Sequence, residues 1–277
     1  MQKVRYPSVA GSFYPADKAD LQQTLDLFFR NTQPAEKLNI GCIISPHAGY
    51  IYSGAIAAEG FAQLSGQNYN TVVVISPSHF EYFKGCSIYP GNYKTPLGEI
   101  ETDMEFCQKL TENSHSVLIS GIGHGREHAL EVQLPFLQFV LGSFKLVPIV
   151  MGEQNYKTAA DLAELITSLN YEKPYSDKRV LIVSSTDLSH FYNAEQAKKL
   201  DEVIVSDIQS LDEIKLDQDI LRRKGEACGY GPVISGIKSA KINNFNHCRI
   251  TAYGHSGQVS NDFDRVVGYV SAIIFKN

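Results

Sequence analysis

Tryptophan is absent from the 277 residues, methionine occurs three times and cysteine five times. The missing tryptophan carries no functional message. The cysteines do, because an odd number at irregular spacing excludes a disulfide framework of the kind that staples small secreted domains. A cytoplasmic, reducing home is expected. Long apolar runs are missing too. The most apolar late stretch, 266–275, is about half of what a spanning helix needs and contains Gly268, Tyr269 and Ser271, so it reads as a buried strand. The opening residues carry charges and prolines where a secretory leader needs an apolar centre, and no membrane contact is expected. No run of six like charges occurs, and 25 Lys and Arg against 30 Asp and Glu leave a net charge of −5. Nucleic acid is therefore not an expected partner, since phosphate binding needs clustered cations.

What is present is an ordinary globular composition, 43% hydrophobic and 20% charged. Short β-branched runs alternate with amphipathic stretches. The pattern predicts strands at 40–45, 71–76, 145–151, 179–185, 248–253 and 265–275. It predicts helices near 17–30, 53–64, 101–111, 126–141, 157–170, 194–209 and 229–241. Asp17 stands before the apolar series Leu21, Leu25 and Phe28 as a natural N-cap. Runs such as VVVI at 72–75 and LIV at 181–183 look buried on both faces, the mark of a parallel sheet covered by helices. The stretch 83–97, dense in Gly, Pro and Tyr, reads as a long functional loop that can hold a short strand. No repeat and no linker divides the chain, so 1–277 reads as one α/β domain.

Three histidines share one local design. IISPH sets His47 just after an apolar run, VVISPSH does so for His79, and LIVSSTDLSH does so for Asp187 and His190. In an open parallel sheet the residues just past the strand carboxyl ends line the ligand crevice, so these loops can bring three imidazoles into one pocket. Pro46 and Pro77 stiffen two of the turns. Imidazoles with one anionic group suit zinc or non-heme iron, whereas Asp187 and His190 can instead act as acid, base or substrate-binding groups. His128 and Glu131, at i and i+3 of the expected helix, fall on one face. His115, His124, His247 and His255 read as surface or structural. Cys228, in GEACGYGP at a helix start, has its thiolate favoured by the helix dipole and is a candidate ligand or nucleophile. Cys42 and Cys248 lie in apolar strand patterns and read as core.

RYPSVAGSFYP at 5–15, SPHAGYIYSG at 45–54, SPSH at 76–79, EHALEVQLPFL at 127–137, SSTDLSHF at 184–191, GEACGYGP at 225–232 and the tail YGHSGQVSNDFDRVVGYVS at 253–271 together resemble the Memo (mediator of cell motility) family over essentially the whole chain. That family is related to the LigB-like class III extradiol dioxygenases, which use non-heme iron(II). The resemblance implies a three-layer α/β domain with a mostly parallel central sheet. It implies His47, His79 and Cys228 as the metal site, Asp187 and His190 at the pocket rim, and His128 within the family's EH motif. Cys228 stands where the dioxygenases have a carboxylate, so ring-opening of catechols is a fold-level analogy only. The expected cofactor is iron(II) first, with copper or zinc as alternatives that a thiolate also suits.

Three functions follow. In the first, the metal supports redox or oxygenase-like chemistry, His190 oriented by Asp187 exchanges protons, and His128 holds a substrate anion. Ser45, Ser76 and Tyr50 then supply supporting hydrogen bonds. In the second, zinc activates water with Asp187 or Glu131 as base. In the third, the pocket is a non-catalytic module for a small molecule, peptide or partner terminus, with 83–97 as part of the recognition surface. The resemblance also implies AMMECR-type and radical-SAM partner proteins.

Overall fold

The structure, a computed structural model, describes residues 3–32, 37–112, 114–169 and 179–277. The first half of the chain forms β1 (Lys3–Arg5), α1 (Lys18–Phe29), β2 (Asn39–Ser45), α2 (Tyr50–Phe61), β3 (Thr71–Pro77), β4 (Cys86–Ile88), β5 (Gly91–Thr95), β6 (Gly98–Ile100), α3 (Met104–Glu112), β7 (Val117–Ile119) and α4 (Leu134–Leu141). The second half forms β8 (Lys145–Met151), α5 (Tyr156–Leu169), β9 (Val180–Ser185), β10 (His190–Tyr192), α6 (Ala194–Gln209), α7 (Glu213–Leu221), α8 (Tyr230–Ile242), β11 (His247–His255), α9 (Gly257–Ser260) and β12 (Val266–Lys276).

The apolar runs become strands because β-branched side chains suit a pleated, two-sided environment. Successive residues point to opposite faces, and the core records it. Val72, Val74, Leu181 and Val183 pack with α1, α2 and α4 on one face, around Leu21, Leu25, Phe61 and Phe136. Val73, Ile75, Ile182 and Ile149 pack with α3, α5, α6, α7 and α8 on the other, around Phe106, Leu162, Ile204, Leu216 and Ile237. Helices therefore cover both faces of the sheet, which is the three-layer α/β arrangement.

The main sheet runs β10-β12-β2-β9-β3-β8-β4-β7, with β11 also paired to β12. Its centre, β2-β9-β3-β8, is wholly parallel, as the runs buried on both faces require. Beyond it, β12 and β4 run antiparallel to their inner neighbours, so the whole sheet is mixed. Strands β1, β5 and β6 form a separate small sheet, and the expected loop 83–97 holds β4 and β5. The expected helix at 53–64 starts earlier, at Tyr50. The helix expected at 157–170 is Tyr156–Leu169, and residue 170 lies outside the described residues. Asp17 does cap α1, its Oδ1 accepting from the Ala19 and Asp20 N–H groups at 2.7 and 3.1 Å.

One expectation fails where it matters. The helix expected over 126–141 exists only as α4, preceded by a 3-10 turn at Glu131–Gln133 and irregular backbone around His128. Pro135 in the first turn of α4 tolerates its missing N–H there. Upstream, the Glu127 side chain accepts from the Ala129 N–H at 2.9 Å, a local side-chain bond that competes with helix. His128 and Glu131 consequently do not share a helical face. Among the described residues no helix is long and apolar enough to cross a membrane.

Candidate metal centre

Parallel alignment places the carboxyl ends of β2, β3 and β9 at one edge of the sheet. His47 follows β2 by one proline, His79 follows β3 by one serine, and Asp187 lies two residues past β9. Cys228 arrives from the loop ahead of α8. Its backbone N–H donates to the Asp187 carbonyl at 3.1 Å, and the Asp187 N–H donates to Cys228 Sγ at 3.2 Å. Gly229 makes that docking feasible. A Cβ there would lie 2.1 Å from the Ser185 carbonyl oxygen, and its N–H donates to Thr186 Oγ1 at 2.9 Å.

One donor atom from each of His47, His79 and Cys228 lies within 4.8 Å of the others. His47 Nε2 is 3.1 Å from Cys228 Sγ, and the two imidazole centroids are 5.1 Å apart at 80°. The hydrogen-bond network assigns the tautomers. Ser185 has one proton, which its Oγ gives to the Ala129 carbonyl at 2.7 Å, while Gln133 Nε2 donates to the same Oγ at 2.9 Å. His47 Nδ1, also 2.9 Å from that oxygen, must then be the donor, so Nε2 keeps its lone pair. His79 Nδ1 is 2.9 Å from the Glu127 carboxylate, which also accepts from the His79 backbone N–H at 2.6 Å. The second imidazole thereby also carries a proton on Nδ1, which in the neutral ring leaves Nε2 its lone pair.

Electrostatics agree with a neutral His47. Burial, then the neighbouring His79, His128 and His190, holds His47 well below its ordinary pKa of 6.5. Burial pushes Glu127 up, but the hydrogen bonds from His79 and Ala129 outweigh it and leave its carboxyl below the usual range. Burial raises Asp187 to about 7 against the N–H bonds from His47 and Ala48. The Cys228 thiol is pushed up by burial and then by Asp187. The thiolate expected from the helix dipole is therefore not the resting form, because desolvation outweighs that dipole. A bound cation would supply the missing positive charge.

Other candidates take different places. The Asp187 carboxylate does not orient His190; its Oδ1 accepts from the His47 backbone N–H at 2.8 Å. His190 Nδ1 instead donates to the Leu188 carbonyl at 2.7 Å. A bulge in β10, with Phe191 at φ +67°, sets the half-buried imidazole at the strand's edge. His128 stacks on His79 at 4.7 Å and lies 4.8 Å from the Phe13 ring, so it does border the site. Glu131 is unavailable as a base. Its carboxylate is spent on Arg5, the Ser8 and Val9 N–H groups at 2.8 and 3.1 Å, and the Tyr14 hydroxyl at 2.6 Å.

The supporting bonds also come from elsewhere than expected. Tyr50 donates to the Val132 carbonyl at 2.8 Å, Ser45 to the Pro46 carbonyl at 3.4 Å, and Ser76 Oγ is buried with no hydrogen-bond partner among the described residues. Ser185, Gln133 and Glu127 do that work, and sequence reasoning passed over all three. Glu127 was findable as an acid beside a candidate histidine. Ser185 and Gln133 act on atoms far away in sequence and gave no local signal. His124, read as surface or structural, is fully buried between Tyr93 and the Ser87 carbonyl.

The model of a family described as Memo-like protein matches residues 5–273. A MEMO1 family protein of Methanocaldococcus jannaschii is 36% identical, covering 99% of this chain and all of its own length. A MEMO1 family protein of Methanobrevibacter smithii is 38% identical over 98% of this chain and 99% of its own. Among solved structures, an uncharacterized protein from Escherichia coli superposes with a TM-score of 0.52 at 11% identity, covering 84% of this chain and 99% of that one. At that identity the likeness concerns the fold alone.

Proposed function

The chain belongs to the Memo family, and from the pocket just described we propose that it binds a metal ion through His47, His79 and Cys228 for redox or oxygenase-like chemistry. One observation carries the reading. Two imidazole nitrogens and a thiol converge within 4.8 Å, and each imidazole's opposite nitrogen is held by a hydrogen-bond acceptor. That is how proteins fix a ligating histidine's tautomer and direction. His47 Nε2 pairs with the half-buried Cys228 thiol at 3.1 Å, and an ion that displaces the thiol proton would gain that lone pair, the thiolate and His79 Nε2 together.

The donor set suits iron(II), with copper as the alternative, and either ion would supply one-electron chemistry or polarise a bound oxygen. The rest is done by the chain's own groups. Ser185 and Glu127 keep both Nε2 lone pairs aimed at the site. Asp187 fixes the His47 loop through the backbone N–H. With its Nδ1 proton committed to Leu188, His190 has Nε2 for proton exchange with a substrate. His128, stacked on His79, is positioned to contact a substrate oxygen. A hydrolytic zinc site has less support, because Glu131 is locked to Arg5 and only Asp187 is left as base.

Metal content of protein purified anaerobically without chelating resin tests the proposal. Wild type and His190→Ala should carry iron or copper near one per chain, and His47→Ala, His79→Ala and Cys228→Ser should lose it. Zinc alone in the wild type would favour the hydrolytic reading. A metal-free wild type would sink the proposal, and metal loss in His190→Ala would show that the ligand set is drawn wrongly.

A further inference from the structure

A cleft of about 280 Å³ has Cys228 and His190 in its wall, together with Leu188, Ile220, Arg223 and Tyr230. It is a little smaller than the roughly 300–1,000 Å³ of drug-sized sites, so its occupant is a small molecule. The charges in it are unequally committed. Glu226, also in the wall, accepts from the Tyr192 hydroxyl at 2.5 Å. The Arg223 guanidinium has neither a carboxylate in ion-pair reach nor a hydrogen-bond acceptor among the described residues.

The backbone at Arg223 adds a second observation. Arg223 follows the end of α7 with φ +56°, the left-handed conformation that glycine or asparagine adopts at least cost. Asn244 and Asn261 fill the corresponding places after α8 and α9. Leu211, after α6, is the other large side chain in such a place, and it is buried in the core. Arg223 is exposed and packs no core, so the side chain kept there at a conformational cost is the one that lines the cleft.

We propose that this cleft is the substrate pocket and that it takes a small carboxylate. The carboxylate pairs with Arg223, the body lies against Leu188 and Ile220, and the far end meets Cys228 and His190. A guanidinium matches a carboxylate fork-to-fork and neutralises its single charge. A phosphate dianion would bring a second charge beside Glu226. The inference rests on the proposed metal site only for what happens at that far end.

The test uses chelator-treated, 15N-labelled full chain titrated with benzoate, with neutral benzamide and with inorganic phosphate, followed by backbone amide shifts. Benzoate should shift the amides of His190, Glu226 and Cys228 in a saturable way, and benzamide should not. Arg223→Gln should weaken benzoate at least tenfold while keeping wild-type metal content, and Arg223→Lys should restore part of the loss. Equal binding of benzoate and benzamide, an Arg223→Gln variant that binds like wild type, or shifts confined to another surface would overturn the assignment. Phosphate binding more tightly than benzoate would overturn the carboxylate in particular. Because the titration is done without metal, a failed metal site and a failed anion pocket give different results: Cys228→Ser that loses metal yet still binds benzoate leaves the pocket standing.

Discussion

Replacing Glu127 by glutamine keeps the shape of the side chain and removes its charge, which makes it a sharp probe of the His79 tautomer. The carboxylate accepts three N–H groups, from His79 Nδ1, the His79 backbone and Ala129, at 2.9, 2.6 and 2.9 Å. An amide has only one acceptor oxygen. If that oxygen takes the place of Oε1, the NH2 group faces the His79 backbone N–H; if it takes the other place, the NH2 group faces Nδ1–H and Ala129 N–H. Either orientation sets donor against donor. The escape open to His79 is to move its proton to Nε2, where it blocks the atom offered to the metal. Loss of such a supporting carboxylate costs roughly 10–100-fold in metal affinity, or about 1.4–2.7 kcal/mol. Competition against a chromophoric chelator measures it, with a thermal melt to show that the variant is folded. A folded Glu127→Gln protein whose affinity stays within about twofold of wild type would refute the tautomer argument.

Glu131→Ala should act on stability instead. It leaves a buried Arg5 charge unpaired and should cost about 3–5 kcal/mol by urea titration; a loss under ~1 kcal/mol would mean that the pair is not formed in solution. His124 should make stability depend on pH. Burial lowers its folded-state pKa from 6.5 to about 3, so the unfolded chain binds the extra proton and stability falls as pH drops below 6.5, the full loss being reached near 3. At pH 5 the loss is about 2 kcal/mol relative to pH 7. The difference in unfolding free energy between those pH values, measured by urea titration, should shrink by that amount in His124→Asn, and an unchanged difference would contradict it.

How much of this was legible in the sequence depended on which atoms made the signal. The parallel centre was readable because runs such as 72–75 are apolar on both faces, and the site followed from what comes just after those runs. His47, His79 and Cys228 carry their chemistry in their own side chains, so they stood out as candidates, and the fold brings them together. Ser185, Gln133 and Glu127 matter only through the partners that the fold brings to them. The three-residue strands β4, β6 and β7 are too short to show a period of two, and β5, inside the stretch expected as a loop at 83–97, pairs with β1 from the far amino-terminal end of the chain. The helix expected over 126–141 was an error of local reasoning, since a side-chain hydrogen bond to the Ala129 N–H and the buried commitments of Glu131 override periodicity there.

The strand order has a consequence for how the protein is made. β2 and β3 are sequence neighbours, yet β9 sits between them and pairs with both. A ribosome-bound chain that has released only its first half therefore carries His47 and His79 on strands with no common partner. Cys228 follows later still, on a loop that docks onto the end of β9. The three side chains meet only when nearly the whole chain is out and folded, so an ion bound as proposed above would enter last and would report a finished sheet.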